Sequence, residues 1–264
     1  MTTAIIGAGV MGEALLAGFL RAGMDKAQFV AATRSSERGT EIATKYGIPV
    51  LPSSEAVKEA QVVLLVVKPQ DMPAVLAEIS STLRKDALVI SFAAGFPIVK
   101  IEASLAPNTA VIRVMPNTPA LVDQGITAIS PGAHCTGAHM DLAEKLVNSV
   151  GLSVRVPEKY QDAVTAISGS GPAYIFYVVE AMIESGVMLG LPRDLSTELV
   201  YQTVMGAATM LKETNEHPTV LREQVTSPGG TTVAALRQFD DFKVRAAFMS
   251  AMEAARDRSR ELGS

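Results

Sequence analysis

The chain lacks tryptophan, has a single cysteine, and carries only 5% aromatic residues in 264. With Cys135 alone there is no intrachain disulfide framework, which fits a reducing, cytoplasmic setting. Positive charge is also short. The 23 Lys and Arg stand against 27 Asp and Glu, a net charge of −4, so no basic field argues for nucleic acid. No low-complexity segment or strong internal repeat is present. Met1-Thr2-Thr3 runs straight into Ala4-Ile5-Ile6-Gly7, which leaves no room for a signal peptide. The most membrane-like stretch, Tyr174–Leu191, carries Glu180 and Glu184 on one helical face. Two carboxylates are expensive in lipid, so a soluble helix and no membrane are expected.

What is present is apolar residue in quantity, 48% of the chain, enough for one large domain or two modest ones. Short apolar runs at Thr3–Ile6, Phe29–Thr33, Val62–Val67, Leu88–Phe92 and Val111–Met115 read as strands buried on both faces. Helical patterns lie between them, at Gly12–Ala22, Ser36–Tyr46, Ser54–Ala60, Met72–Leu83 and Ile98–Leu105. The alternation predicts βαβ units and a mostly parallel, doubly wound sheet. Ile126–Ile129 and Ser153–Val156 flank a helix over Gly137–Val150 and extend that sheet. After Pro157 nearly everything reads helical: Tyr160–Ile167, Ala173–Leu189, Asp194–Lys212, Thr219–Val225, Thr232–Phe239 and Phe242–Leu262. A boundary near 157 therefore divides an α/β domain, 1–157, from an all-helical domain, 158–264. The stretch Leu199–Leu211 has no charge and demands cover on most sides. A partner subunit is one source of that cover; a central place in its own domain is the other.

Gly7-Ala8-Gly9-Val10-Met11-Gly12 is a complete G-x-G-x-x-G that follows a strand and opens a helix. Its glycines suit a tight turn, close approach of backbone to a pyrophosphate, and close helix–strand packing. The helix start aims free N–H groups at phosphates. This context marks a Rossmann-type dinucleotide site. A site for NAD would carry an acid about 20 residues beyond the glycines. Here the second strand ends Thr33-Arg34-Ser35-Ser36 and no acid comes before Glu37. Arg34 is suited to a 2′-phosphate, with hydroxyls from Thr33, Ser35 and Ser36. A solvated turn and helix N-cap explain the same residues; the missing acid favours NADP(H), with NAD(H) as the lesser option. Ser53, Val67-Lys68-Pro69 and Ala93-Ala94-Gly95 join the cofactor candidates, the last two groups at the carboxyl edge of the sheet. Lys68 is equally readable as a surface lysine.

Two further segments are rich in turn chemistry. Ser168-Gly169-Ser170-Gly171-Pro172-Ala173-Tyr174 interrupts a helical stretch, and Pro172 should break or kink it. Val225-Thr226-Ser227-Pro228-Gly229-Gly230-Thr231-Thr232 precedes an amphipathic helix and offers N–H groups and hydroxyls to a carboxylate. Packing and ordinary capping are the plainer readings of both. His134, Cys135 and His139 have no fourth ligand nearby and read as a loop rather than a metal site. Arg256, Arg258 and Arg260 alternate with Asp257 and Glu261 on a solvated helix end.

Together these motifs resemble the pyrroline-5-carboxylate reductase family from residue 7 to the end of the chain. The likeness includes Val67-Lys68-Pro69, Ala93-Ala94-Gly95, Met115-Pro116-Asn117-Thr118-Pro119 and Leu189-Gly190-Leu191-Pro192. Its most specific segments are Ala166–Tyr174 and Ser227–Thr232. The resemblance implies an N-terminal NADP(H) domain, a helical dimerisation domain, and dimers assembled further, often as a ring of five. It implies reduction of 1-pyrroline-5-carboxylate to L-proline. It places the substrate against Val225, Ser227, Gly230, Thr231 and Thr232, with Asn117 nearby and the ring nitrogen at the catalytic hydroxyl of Thr232. The residues themselves are compatible with imine chemistry: no lysine occurs between Tyr160 and Lys212 to serve as the acid of a carbonyl reductase. An NADP-binding sensor and a reductase of another small imine are the alternatives.

Overall fold

The computed structural model describes residues 1–263. Seven strands form one sheet: β1 (Thr3–Ile6), β2 (Phe29–Ala32), β3 (Val62–Leu65), β4 (Leu88–Ser91), β5 (Ala110–Met115), β6 (Gly125–Pro131) and β7 (Gly151–Arg155). Their order is β2-β1-β3-β4-β5-β6-β7, parallel throughout except for β5 against β6. Six helices belong to this part: α1 (Val10–Arg21), α2 (Ser36–Tyr46), α3 (Ser53–Ala56), α4 (Met72–Ile79), α5 (Ile98–Ser104) and α6 (Gly137–Val147).

Every residue of β1 to β4 is buried. Successive side chains point to opposite faces, so each strand feeds two cores. Ile5, Leu64 and Ile90 join Leu15, Leu16 and Phe19 on one face. Ala4, Ile6, Val63, Leu65 and Val89 join Met72, Leu76 and Ile79 on the other. This two-sided cover is why the strands read as unbroken apolar runs. β2, β3 and β4 stop short of the expected ends, leaving Thr33, Val66, Val67 and Phe92 in the loops of the carboxyl edge. α3 and α4 end at Ala56 and Ile79, earlier than their patterns predict; α2 stops at Gly47, whose φ of +66° is the left-handed cap glycine favours.

The remaining helices are α7 (Gln161–Val164), α8 (Gly171–Met188), α9 (Arg193–Thr214), α10 (Pro218–Gln224), α11 (Thr231–Asp241) and α12 (Val244–Gly263). Between α7 and α8 the backbone widens into a π turn over Thr165–Gly169, with Ser170 N–H bonded to Thr165 O at 2.8 Å. Pro172 supplies no N–H and crowds the carbonyl four residues back, so a turn widened just ahead of it relieves the ladder. The interruption expected at Pro172 therefore takes the form of a π turn.

The chain forms two compact units. One comprises 1–170 with the chain from Ala254 on; the other is 171–253. The composition changes at 157, yet 158–170 packs with the sheet. Gln161 is fully buried and donates to Ser130 Oγ at 2.8 Å. Buried Arg113 pairs with Glu158 at 3.3 Å and Asp162 at 3.5 Å. Asp162 in turn accepts from Ser259 of α12 at 2.8 Å. In the second unit α8 and α9 form a helical hairpin joined through Gly190, whose φ is +96°. Their close approach centres on Gly186, where a Cβ would lie 2.1 Å from Ser196 Oγ.

Candidate active site

The glycine loop is shaped by three different constraints. Gly7 has φ +98°, and a Cβ there would meet Val66 O at 2.6 Å. A Cβ at Gly12 would lie 2.5 Å from Gly7 O, so a side chain would push α1 off β1. At Gly9, by contrast, no atom stands within 4 Å of a Cβ position. The space beside Gly9 is open, and no side chain caps α1 there. The first N–H groups of a helix have no internal acceptor, so Val10, Met11 and Gly12 present donors to whatever fills that space. A pyrophosphate fits this cradle.

Arg34 and Ser35 are exposed just beyond β2, with Thr33 half-buried. Ser35 accepts from Arg38 N–H at 3.2 Å and serves as the N-cap of α2. Arg34 makes a two-pronged pair with Asp71, both bonds 3.0 Å. Beside them Arg38 donates to Ala8 O at 3.1 Å and pairs with Glu13 and Glu41. Glu13 also accepts from Lys45 and Tyr46, each at 2.8 Å. The Lys45 bond, followed by those from Arg38 and Tyr46, outweighs partial burial and holds the Glu13 carboxyl down at about 2. This network ties α2 to the glycine loop. Ser53 stands at the start of α3.

A cavity of about 310 Å³ at the carboxyl edge is lined by Met11, Val67, Lys68, Pro69, Ala93, Ala94, Asn117 and Gly169 among others. Four motifs far apart in sequence meet there. Asn117 Oδ1 accepts from Ile126 N–H at 2.9 Å, which fixes the side chain of this cavity-lining residue. Gly95 does not line this cavity. It is buried with φ +70°, and a Cβ would meet Ser259 O at 2.6 Å, so its smallness admits α12.

In the second unit Gly230 is the N-cap of α11 and no side chain caps the helix. Gly229 has φ +66°, and a Cβ at Gly230 would strike Ser227 Oγ at 2.4 Å. Gly230 N–H is bonded to Ser227 O at 3.0 Å. The loop thus folds tightly onto itself and offers the first N–H groups of α11 beside the hydroxyls of Ser227, Thr231 and half-buried Thr232. Val225 is exposed at the end of α10.

A family described as pyrroline-5-carboxylate reductase dimerisation matches residues 158–262, and one described as NADP oxidoreductase, coenzyme F420-dependent, matches 2–95. The pyrroline-5-carboxylate reductase of Corynebacterium melassecola is 45% identical over 99% of this chain and 98% of the relative. That of Methanosarcina acetivorans is 41% identical over 98% and 96%. The chain belongs to the pyrroline-5-carboxylate reductase family. Two solved reductases superpose with a TM-score of 0.92: one from Coxiella burnetii, 34% identical over 100% of this chain and 98% of that one, and one from Plasmodium falciparum with NADP bound, 30% identical over the same shares.

Within this family frame, some residues of the reductase chain that matter to the cradle escaped sequence reading. Asp71, Glu13 and Arg38 are polar residues at helix starts, a pattern shared with ordinary solvated turns. Only the fold shows them bonded across elements. The loop that holds His134, Cys135 and His139 is accounted for by its own hydrogen bonds. His139 Nδ1 accepts from Thr136 N–H at 3.2 Å in a capping box, and the Cys135 thiol donates to Val111 O at 3.0 Å. Burial pushes that thiol upward from its ordinary value.

Proposed function

We propose that this chain reduces 1-pyrroline-5-carboxylate to L-proline with NADPH, the last step of proline synthesis. Nearly full-length identity of 45% to a reductase of that name carries the reading. The sheet unit supplies the nucleotide cradle and the helical unit the carboxylate seat. When bound, the cofactor supplies a hydride. The cyclic imine is protonated, so addition at its carbon returns the C=N electron pair to nitrogen and cancels the charge. The protein then needs to orient, exclude water and hold the nitrogen. Ser227, Gly230 and Thr231 hold the carboxylate at the start of α11, and the Thr232 hydroxyl takes the ring nitrogen. Val225 and the Asn117 amide complete the substrate contacts.

NADPH is favoured over NADH by the missing acid after β2 and by Arg34. Thr33, Ser35, Ser53, Val67, Lys68 and Pro69 add contacts along the nucleotide. The enzyme works in the cytoplasm as a homodimer built through the helical unit, and five dimers form a decamer. The apolar side chains left bare on α8 and α9 support that association: Phe176 is 65% exposed, Tyr177 75% and Met205 59%.

The test is the loss of NADPH absorbance with pyrroline-5-carboxylate, run beside piperideine-6-carboxylate and with NADH in turn. Fastest turnover is expected with the five-membered imine and NADPH. A protein that binds NADPH but consumes none with either imine would overturn the reading.

A further inference from the structure

Arg34 and Asp71 are carried by loops that leave strands on either side of β1. The sheet order places β2 and β3 either side of β1. Arg34 follows β2 by two residues and Asp71 follows β3 by six, so their pair crosses the carboxyl end of β1, where the nucleotide cradle opens. The Nη1–Nη2 edge of the guanidinium is taken by the two Asp71 oxygens, each bond 3.0 Å. A phosphate on that guanidinium would use the same two-pronged geometry. The exposures are unequal. The Arg34 side chain is 84% exposed and Asp71 only 24%, so the carboxylate is the fixed partner and the arginine the movable one.

We propose that Asp71 is a specificity-determining residue that competes with the cofactor's 2′-phosphate for Arg34. The inference rests on the NADPH reading above. A 2′-phosphate seated on that same edge must first displace Asp71 from it. NADH has no phosphate to place there, and the pair can stay closed while the flat face of the guanidinium remains open to an adenine ring. The pair therefore narrows the gap between the two cofactors rather than widening it. This sets the chain apart from a site whose arginine is free. Selectivity for NADPH is held below what Arg34 alone would give, which keeps both nucleotides usable.

The experiment is calorimetric titration of the intact wild-type protein, Asp71→Asn, Asp71→Ala, Arg34→Ala and the Arg34→Ala/Asp71→Asn double variant with NADPH and with NADH at low salt. Both Asp71 variants are expected to tighten NADPH about two- to fivefold, the range of an exposed ion pair, and to raise the NADH-to-NADPH Kd ratio by the same factor. In the Arg34→Ala background the Asp71→Asn change should leave that ratio within about 1.5-fold, because the contested group is gone. An unchanged NADPH Kd in Asp71→Asn overturns the proposal. So does a weakened one, which would make Asp71 a support that aims Arg34 at the phosphate. Wild-type protein that fails to bind NADPH overturns the cofactor reading itself, and the inference with it.

Discussion

The two units solve the burial problem in opposite ways. In the sheet unit β1 to β4 are covered on both faces, and large apolar side chains, Phe19, Ile5, Leu64 and Met72 among them, are sheltered within one chain. In 171–253 the only residues fully sheltered among those described are Ser196 and Val200. Met188 is 88% exposed there and Phe242 78%. Tyr177, Met182, Phe239 and Phe248 line an apolar groove of about 910 Å³. A βαβ layer closes its own core, whereas a hairpin of long apolar helices has too few neighbours and calls for a second copy. The family description of this half, a dimerisation domain, matches that need.

The sharpest way to break the comparison is to charge the bare helical faces. Tyr177→Asp with Met205→Asp should abolish association, weakening it by at least 3 kcal/mol, about a hundredfold or more. Analytical ultracentrifugation would show the mass halve or fall further. Unchanged mass would mean that these faces are covered some other way. Next in size is Gly186→Ala, which places a methyl on Ser196 and disturbs the Ser196 bond to Ile183 O, 2.9 Å in the present structure. A loss of about 2 kcal/mol is expected in urea denaturation, confined to the helical unit. A fall in sheet-unit stability instead would contradict the division into units.

Thr232→Ala sharpens the division of labour. Removing one hydrogen bond to a group whose charge changes should cost about tenfold in kcat, roughly 1.4 kcal/mol, with the NADPH Kd little altered. Full turnover would remove Thr232 from the mechanism. The smallest effect lies in the sheet unit. Glu13→Gln should cost about 1 kcal/mol at neutral pH, since Lys45 sits mostly in solvent. The folded Glu13 carboxyl titrates at about 2 against an ordinary 4.5, so its contribution is complete above 4.5 and disappears as pH falls through 2. Stability curves of the two proteins should converge over that acid range. A gap that persists below it would assign the loss to packing rather than to the charge.

The elements that were legible in sequence are those whose causes are local. Gly7 and Gly12 stand out because a left-handed turn and a close helix–strand approach demand them, and Gly9 because it completes their spacing. The strands read as apolar runs because two-sided cover leaves no polar face. Gly229, Gly230 and the hydroxyls after them stood out for the same reason. Gly95 reads from its motif as a cofactor contact, and only the fold shows that it also stands against Ser259, 164 residues away. The 158–170 segment reads as helical whichever unit it packs with. Arg113, Gln161, Glu158 and Asp162 decide that question, and no local pattern announces a salt bridge 45 residues long.

By itself, then, the order of residues determined the alternation of strand and helix, the nucleotide loop, the turn before α11 and the family. Periodicity, turn chemistry and side-chain type act over a few neighbours, and a single chain records them. The tertiary structure alone decided which distant groups meet: Asp71 with Arg34, Glu13 with Arg38, α12 with Gly95. Ion pairs and close approaches depend on through-space distance, which the chain acquires only when the sheet brings the ends of its strands to one edge.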